Sequence, residues 1–151
     1  LRLSNVIGRP VSIDTDCWTL LVNDLCKEVV VSQATTIHGN PNDVRDFVSM
    51  STVVKVCAYL IENHHSPASQ LHNIGSGQAV TIRQMAEIVS ERAKIQFGCL
   101  PELRISNPTS VVSTGLSYVT TPFECARLGD ERMALSEEID KLLQFCKLNF
   151  G

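Results

Sequence analysis

Arg45 and Asp46 form a charged pair that is followed directly by the apolar residues Phe47 and Val48. Positions 39–43 before the pair read Gly-Asn-Pro-Asn-Asp, and each of these residue types favours turns. A guanidinium presents a planar fork of donors that suits a diphosphate, so an arginine at a loop-to-strand junction is a candidate anion anchor. The alternative is a local surface ion pair between Arg45 and Asp46, which spacing alone favours.

Two further segments place polar residues after predicted strands. Asn5 follows a strand and precedes Gly8, which would put its amide at the carboxyl edge of a sheet, where open α/β folds bind ligands. A turn-forming asparagine is the alternative, and spacing alone favours it. The segment 75–77, Gly-Ser-Gly, lies between a predicted strand and a predicted helix, but the third glycine of a dinucleotide fingerprint would fall at Val80. That fingerprint is therefore incomplete.

The histidines and cysteines form no metal-binding or nucleophile pattern. His64 and His65 lie in a polar connector where a solvated loop is favoured over a metal site, and a structural role is the default for His38 and His72. Neither G-x-S-x-G nor H-E-x-x-H occurs. The 6 cysteines include no C-x-x-C pair, which favours reduced, structural thiols in a cytoplasmic protein. We predict no metal site.

The elements that must position these residues alternate between strands and helices. Apolar residues recur at steps of three and four from Trp18 to Val31, which predicts a helix. Thr81 and Gln84 have the spacing of a capping box. Predicted strands cover residues 1–6, 34–38, 71–74 and 103–105. A second helix is predicted from Ser51 or Thr52 to about Asn63, a short one from Pro122 to Gly129, and a last one that Ser136 caps. This alternation predicts the α/β class.

Composition is that of one ordinary globular unit, with 151 residues, 44% of them hydrophobic and 19% charged. The net charge is −3 and the 13 Lys and Arg residues are not clustered, so we expect no nucleic-acid partner. No apolar run approaches the roughly 18 residues of a membrane span, so we expect a soluble chain without a membrane partner. Residue 1 is a leucine inside a predicted strand, which suggests truncation, processing or trimming.

Four strings in one order resemble motifs of the extended short-chain dehydrogenase/reductase family, the NAD-dependent nucleotide-sugar epimerases and dehydratases. LRLSNVIGRP (1–10) resembles the family's LRxxNVYGP, and TTIHGNPNDVRDFV (35–48) resembles its ITVYGDGxxxRDFVHVDD. LHNIGSGQAVTIRQMAEIV (71–89) resembles YNIGSGxxxSxxELAExI, and LSYVTTPFECARLG (116–129) is a looser match to Y-x-x-D-x-S-K-A-x-x-L-G. Order and separations agree over nearly the whole chain.

The resemblance implies the last strands and helices of a Rossmann-like parallel sheet plus the small α/β substrate-binding domain of that fold. Residues 1–151 would form a single partial unit, the C-terminal half, with the N-terminal NAD-binding half absent. In the family, the residue matching Asn5 contacts the diphosphate of the sugar nucleotide, and the arginine matching Arg45 binds it. The expected partner is therefore a nucleotide-diphosphate sugar.

The same resemblance implies the rest of the site. Ile37 and His38 match the strand whose backbone and aromatic residue line the base pocket. Leu20 falls on the helix that helps to close this pocket. Ser4 lies where the strand end approaches the nicotinamide, and is the predicted cofactor contact in this chain. NAD or NADP would be bound mainly by the missing half.

The chain departs from the family in its chemistry. The catalytic Tyr-x-x-x-Lys pair is absent, because Asn63 stands four residues after Tyr59 and Pro122 stands four after Tyr118. We therefore expect no catalytic residue here and no activity from this chain alone. The family's HVDD is replaced by Ser-Met-Ser-Thr at 49–52, and its second arginine is missing from 107–112, which read NPTSVV.

Two functional classes remain open at this point. The first is the nucleotide-sugar-binding portion of an NAD(P)-dependent epimerase or dehydratase, whose own N-terminal half joins it in cis or in trans, with a homo-oligomer as a further potential partner. The second is a non-catalytic binding or interaction domain that retains the fold without the activity. The sequence upstream of Leu1 would discriminate between them.

Overall fold

Short strands and longer helices alternate along the residues that the structure, a computed structural model, describes: 1–63, 71–106, 120 and 130–151. The strands are β1 Arg2–Leu3, β2 Asn5–Ile7, β3 Ala34–His38, β4 Val44–Ser49, β5 Asn73–Ile74, β6 Ala79–Thr81 and β7 Glu102–Ser106. The helices are α1 Leu21–Ser32, α2 Met50–Glu62, α3 Ile82–Phe97 and α4 Glu131–Phe150. The α/β class predicted from the sequence is confirmed.

The strands form three small sheets. β1 pairs with β5 and β3 pairs with β7, both in parallel, while β4 lies between a parallel β2 and an antiparallel β6. The single strand predicted over residues 1–6 is wrong in one respect, because it divides at Ser4. Its first part pairs with β5 and its second part with β4, so two sheets meet at this residue.

The larger core lies where α1, α3 and α4 pack against the sheets. Ile7, Ile37 and Phe47 contribute from three strands, and each has 3% or less of its surface exposed. Helix α4 adds its predicted apolar face, which is fully buried: Ile139, Leu142, Leu143 and Cys146. Burial of one large aliphatic side chain stabilises a fold by roughly 1.5–3 kcal/mol, so α4 is a main contributor to stability. A smaller core joins β4, β5 and α2 through Val48, Val53, Val56 and Ile74.

Local hydrogen bonds confirm one helix start and correct two. The capping box of α3 is present: Gln84 N donates to Thr81 Oγ1 at 3.1 Å and Thr81 N donates to Gln84 Oε1 at 2.8 Å. Helix α4 begins before the predicted cap Ser136, because the Asp130 carboxylate accepts from Arg132 N at 2.9 Å. The predicted helix from Pro122 to Gly129 lies outside the described residues.

Helix α2 is capped by Ser49, whereas the predicted cap was Ser51 or Thr52. Ser49 Oγ accepts from Thr52 N at 3.1 Å. The carboxylate of Glu131, from the first turn of α4, accepts from Ser49 N at 2.6 Å and from the Thr52 hydroxyl. A carboxylate at a helix N-terminus is favourable, so Glu131 brings from a distant segment the negative charge that is absent from 49–52.

Within the described residues no helix is long and apolar enough to cross a membrane.

Candidate functional site

Asn5 and Arg45 lie on one face of the β2–β4–β6 sheet. In the parallel register Asn5 is opposite Phe47, which lies two residues beyond Arg45 on β4. Side chains alternate along a strand and register partners share a face, so Asn5 and Arg45 point to the same side, about 7 Å apart along the strands. The structure therefore brings together the two residues predicted to contact a diphosphate.

The guanidinium of Arg45 is exposed, and no ion pair or hydrogen bond engages it in the described part of the chain. The alternative interpretation, a surface pair with Asp46, is wrong because the two side chains point to opposite faces of β4. Among the described residues the amide of Asn5 makes one bond, from Nδ2 to the carbonyl oxygen of Asp46 at 2.8 Å. This bond orients the Asn5 side chain and leaves Oδ1 for a ligand.

Asp46 has a positioning role that the sequence interpretation missed. Its side chain is 1% exposed, and its two carboxylate oxygens accept from Ser76 N at 2.9 Å and Ser76 Oγ at 2.8 Å. Gly77 follows with a φ of 69°, a conformation that favours glycine. The Gly-Ser-Gly segment is thus a turn tied to β4. One signal in the sequence indicates this burial: side chains alternate along a strand, so Asp46 lies on the same buried face as Val48.

An open cavity of about 660 Å³ adjoins the β2–β4–β6 sheet, and neither Asn5 nor Arg45 lines it. It lies between α3 and α4, and its walls include Phe47 and Val80, the register partners of Asn5 and Arg45. Arg132 also lines it and donates from Nε to Gln78 Oε1 at 3.1 Å. The cavity therefore combines an apolar wall with two arginines, Arg92 and Arg132, and with three glutamates, Glu87, Glu91 and Glu131.

Ile37 and His38 lie on the separate β3–β7 sheet. The side chain of Ile37 is fully buried in the larger core, so its predicted contact with a base can come from the backbone alone. His38 ends β3 and is exposed, and its Nδ1 lies 2.9 Å from Ser106 Oγ at the end of β7. Sequence reasoning could not find Ser106, because the two residues meet across 68 positions.

Acidic side chains of α1 lie beside this strand end. Glu28 accepts from Thr36 N at 2.6 Å and also from the Thr36 hydroxyl. Burial raises the pKa of Asp24 and the charge of Glu28 raises it further, while His38 and Lys27 lower it. The electrostatic field near the end of β3 therefore depends on the carboxylates of Asp24 and Glu28, which lie one helical turn apart, and on His38.

Leu20 and Ser4 occupy the two other predicted positions. The prediction that Leu20 lies on the helix is wrong, because α1 begins at Leu21 and Leu20 directly precedes it in an extended conformation. Leu20 is 56% exposed, and its carbonyl accepts from Asp24 N at 2.8 Å. Ser4 N donates to Ile74 O at 2.9 Å. Its Oγ is buried and lacks a hydrogen-bond partner among the described residues, and a buried hydroxyl is costly until a partner is supplied. That unsatisfied atom fits a contact to a cofactor.

The described residues bring no three His, Cys, Asp or Glu side chains together in a way that could hold a metal ion. Cys17, Cys26, Cys57, Cys99 and Cys146 are free thiols. Burial raises the pKa of Cys146 to about 12 and that of Cys26 well above its usual value. Such thiols are poor nucleophiles, so they add no reactive group to the site.

No protein-family model matches the chain. A 60-residue segment is 32% identical to GDP-L-fucose synthase 1 of Arabidopsis thaliana, a match that covers 40% of this chain and 18% of that protein. Solved structures match more of the fold. The UDP-N-acetylglucosamine 4-epimerase of Bacillus cereus superposes with a TM-score of 0.66 at 18% identity, over 97% of this chain and 47% of the other.

Two further solved structures give the same result. The UDP-glucose 4-epimerase of Thermotoga maritima has a TM-score of 0.62 at 19% identity, over 99% of this chain and 46% of the other. The NAD-dependent NDP-hexosamine 5,6-dehydratase of tunicamycin biosynthesis has a TM-score of 0.63 at 19% identity, over 98% and 45%. The chain thus spans about half the length of these structures. The chain shares the fold of about half of each of these epimerases and dehydratases, which agrees with the motif resemblance at the level of fold.

Proposed function

We propose that this chain is the nucleotide-sugar-binding portion of an NAD(P)-dependent sugar-nucleotide epimerase or dehydratase. The observation that carries the proposal is the placement of Asn5 and the exposed, unengaged Arg45 on one face of a sheet. The likeness in fold to such enzymes supports it. The catalytic residues would belong to an N-terminal half outside these 151 residues, joined in cis or supplied in trans.

Each predicted residue has a distinct part in this proposal. The guanidinium of Arg45 forms paired, charge-assisted hydrogen bonds to the diphosphate, and the Asn5 amide adds an orienting contact. The backbone at Ile37, the ring of His38 and the exposed side chain of Leu20 line the base pocket. Because Asp46 ties the Gly-Ser-Gly turn to β4, it holds the strand that presents Arg45.

NAD or NADP supplies hydride transfer when bound, and its binding site would lie mainly in the N-terminal half. Within this chain Ser4 would supply the contact, because its buried Oγ has no hydrogen-bond partner among the described residues and can donate or accept. The chain has no Tyr-x-x-x-Lys pair, so we expect binding without turnover from these residues alone. We further propose a cytoplasmic location, which suits free thiols.

Calorimetry of UDP- and dTDP-sugars tests the role of Arg45, with the chain joined to its N-terminal half. Arg45→Ala removes charge-assisted bonds worth about 1.5–3 kcal/mol, so we expect affinity to fall roughly tenfold to a hundredfold. Lys55→Ala, which removes an equal charge from the exposed side of α2, serves as the control and should bind like the parent protein. Equal affinity for the parent and Arg45→Ala would contradict the assigned role.

A non-catalytic binding or interaction domain is the second candidate function. The absence of the second arginine at 107–112 and the replacement of the acidic string at 49–52 favour it. Sequencing the coding region upstream of Leu1 discriminates between the two. A glycine-rich turn after a strand, followed by Tyr-x-x-x-Lys, would support the enzyme, and an unrelated upstream sequence would support the non-catalytic domain.

A further inference from the structure

Arg83 is a cation at a position that the local structure does not explain. It is the second residue of α3, two positions after the capping Thr81. The amino end of a helix carries a partial positive charge, so a cation in the first turn is unfavourable there. No ion pair joins Arg83 to Glu87, one helical turn on, or to Asp43, whose carboxylate accepts from Asn40 Nδ2 at 2.9 Å. The guanidinium is therefore unengaged in the described part of the chain.

The backbone attaches the first turn of α3 to the start of β4. Arg83 N donates to Pro41 O at 3.0 Å, and Ile82 N donates to Asp43 O at 2.9 Å. Pro41 and Asp43 belong to the turn that leads into β4. Arg83 is also half-buried, so its side chain has fewer accessible positions than a residue in an exposed loop.

Arg83 and Arg45 lie on the same side of the β2–β4–β6 sheet. Thr81 is opposite Val44 in the antiparallel register, and Arg83 follows Thr81 by two residues. Register partners are about 5 Å apart and two residues span at most about 7 Å, so the backbone of Arg83 lies within roughly 12 Å of Val44. Helix α3 shares a core with Phe47, and strand alternation places Arg45 on the same face of β4 as Phe47.

We propose that Arg83 supplies a second cation to the diphosphate of the sugar nucleotide. This rests on the proposed function, in which Arg45 and Asn5 bind that group, and it adds a residue to the same site. The diphosphate of a nucleotide sugar carries two negative charges, and one guanidinium compensates one of them. A bound phosphate also offsets the repulsion between the Arg83 charge and the dipole of α3. The feature that costs stability in the free protein therefore favours the bound state.

Two measurements on one variant distinguish a ligand contact from a structural role. Arg83→Gln should raise the midpoint of urea unfolding, because it relieves the repulsion at the amino end of α3. Calorimetry on the chain joined to its N-terminal half should show that this variant binds UDP about tenfold more weakly, since a charge-assisted bond is lost. Its affinity for uridine, which has no phosphate, should be unchanged. A residue that only supports the fold would lower the midpoint and weaken both ligands.

Three further variants serve as comparisons. Arg83→Lys keeps the charge and should retain most of the preference for UDP over uridine. Lys94→Gln removes an equal charge from the exposed last turn of the same helix and should bind UDP like the parent protein. Arg9, an exposed arginine in the loop after β2, is the rival source of a second charge, and we expect Arg9→Gln to bind UDP like the parent protein.

The outcomes separate this inference from the proposed function. If Arg45→Ala weakens UDP binding and Arg83→Gln does not, the inference is overturned and the diphosphate site stands. If the parent protein does not bind UDP, or if neither substitution changes the affinity, the proposed function falls and the inference falls with it. Weaker UDP binding in Arg9→Gln alone would assign the second charge to Arg9. A lower urea midpoint of Arg83→Gln, with weaker binding of both UDP and uridine, would show a structural role and would also overturn the inference.

Discussion

Replacing Asp46 with alanine should loosen the Gly-Ser-Gly turn at 75–77, because the buried carboxylate of Asp46 accepts two hydrogen bonds from Ser76 in that turn. The substitution removes the acceptors for Ser76 N and Ser76 Oγ. The hydroxyl can turn to Gln78 O, which lies 3.2 Å away, but in the described part of the chain Asp46 is the acceptor seen for the backbone N–H of Ser76. Loss of one charge-assisted bond, together with part of a second, predicts a destabilisation of about 3 kcal/mol, or roughly 6–12 °C in Tm.

Urea denaturation followed by the fluorescence of Trp18, the single tryptophan, measures this loss. Ser76→Ala removes one of the two bonds and should lower the free energy of unfolding by about 1–2 kcal/mol. This variant tests the Asp46–Ser76 contact even if Asp46→Ala does not fold. Asp16→Ala, at an exposed position, is the matched control and should stay within about 0.5 kcal/mol of the parent.

The double variant shows whether the two residues act through each other. Since both substitutions remove the same contact, their combined cost should be smaller than the sum of the separate costs by roughly 1 kcal/mol. Strict additivity, or an Asp46→Ala protein as stable as the Asp16→Ala control, would refute the argument that Asp46 ties the turn to β4.

Two other predictions concern ionisation. The folded-state pKa of Asp24 is raised above its usual 3.8, so its stabilising contribution is present below that value and is lost as pH rises through the folded pKa. The stability of Asp24→Asn relative to the parent should therefore increase between acid and neutral pH in a series of urea titrations, and a constant or falling difference would show that the assigned shift is wrong. The second prediction is that a maleimide at neutral pH labels the exposed Cys99 well before Cys26 and Cys146, whose pKa values burial raises. Peptide mass spectrometry reads the order, and labelling of Cys146 at the rate of Cys99 would contradict it.

Local signals in the sequence predicted several elements well. The capping box at Thr81 and the apolar face of α4 depend on residues within one or two turns of each other, and both are present. Helix starts were less predictable where a distant residue takes part. Ser49 caps α2 together with the Glu131 carboxylate. No sequence pattern near Ser49 indicates this partner, because it lies 82 positions away.

The candidate site divides in the same way. Residue types and motif order identified Asn5, Arg45 and His38 as positions of interest, but their surroundings were beyond local inference. Spacing alone favoured an ion pair between Arg45 and Asp46, whereas strand alternation separates the two side chains and buries Asp46 against the Gly-Ser-Gly turn. The buried hydroxyl of Ser4, which has no partner among the described residues, lies where two sheets meet, and that meeting depends on distant strands.

The sequence by itself determined the α/β class, the resemblance in motif order and the absence of a Tyr-x-x-x-Lys pair, because each depends on residue identity and short-range periodicity. Only the tertiary structure shows that Asn5 and Arg45 share a face, that the buried Asp46 carboxylate binds Ser76, and that Ser106 lies within hydrogen-bond distance of His38. These outcomes depend on strand register, and register joins residues 41, 30 and 68 positions apart through hydrogen bonds that no local pattern encodes.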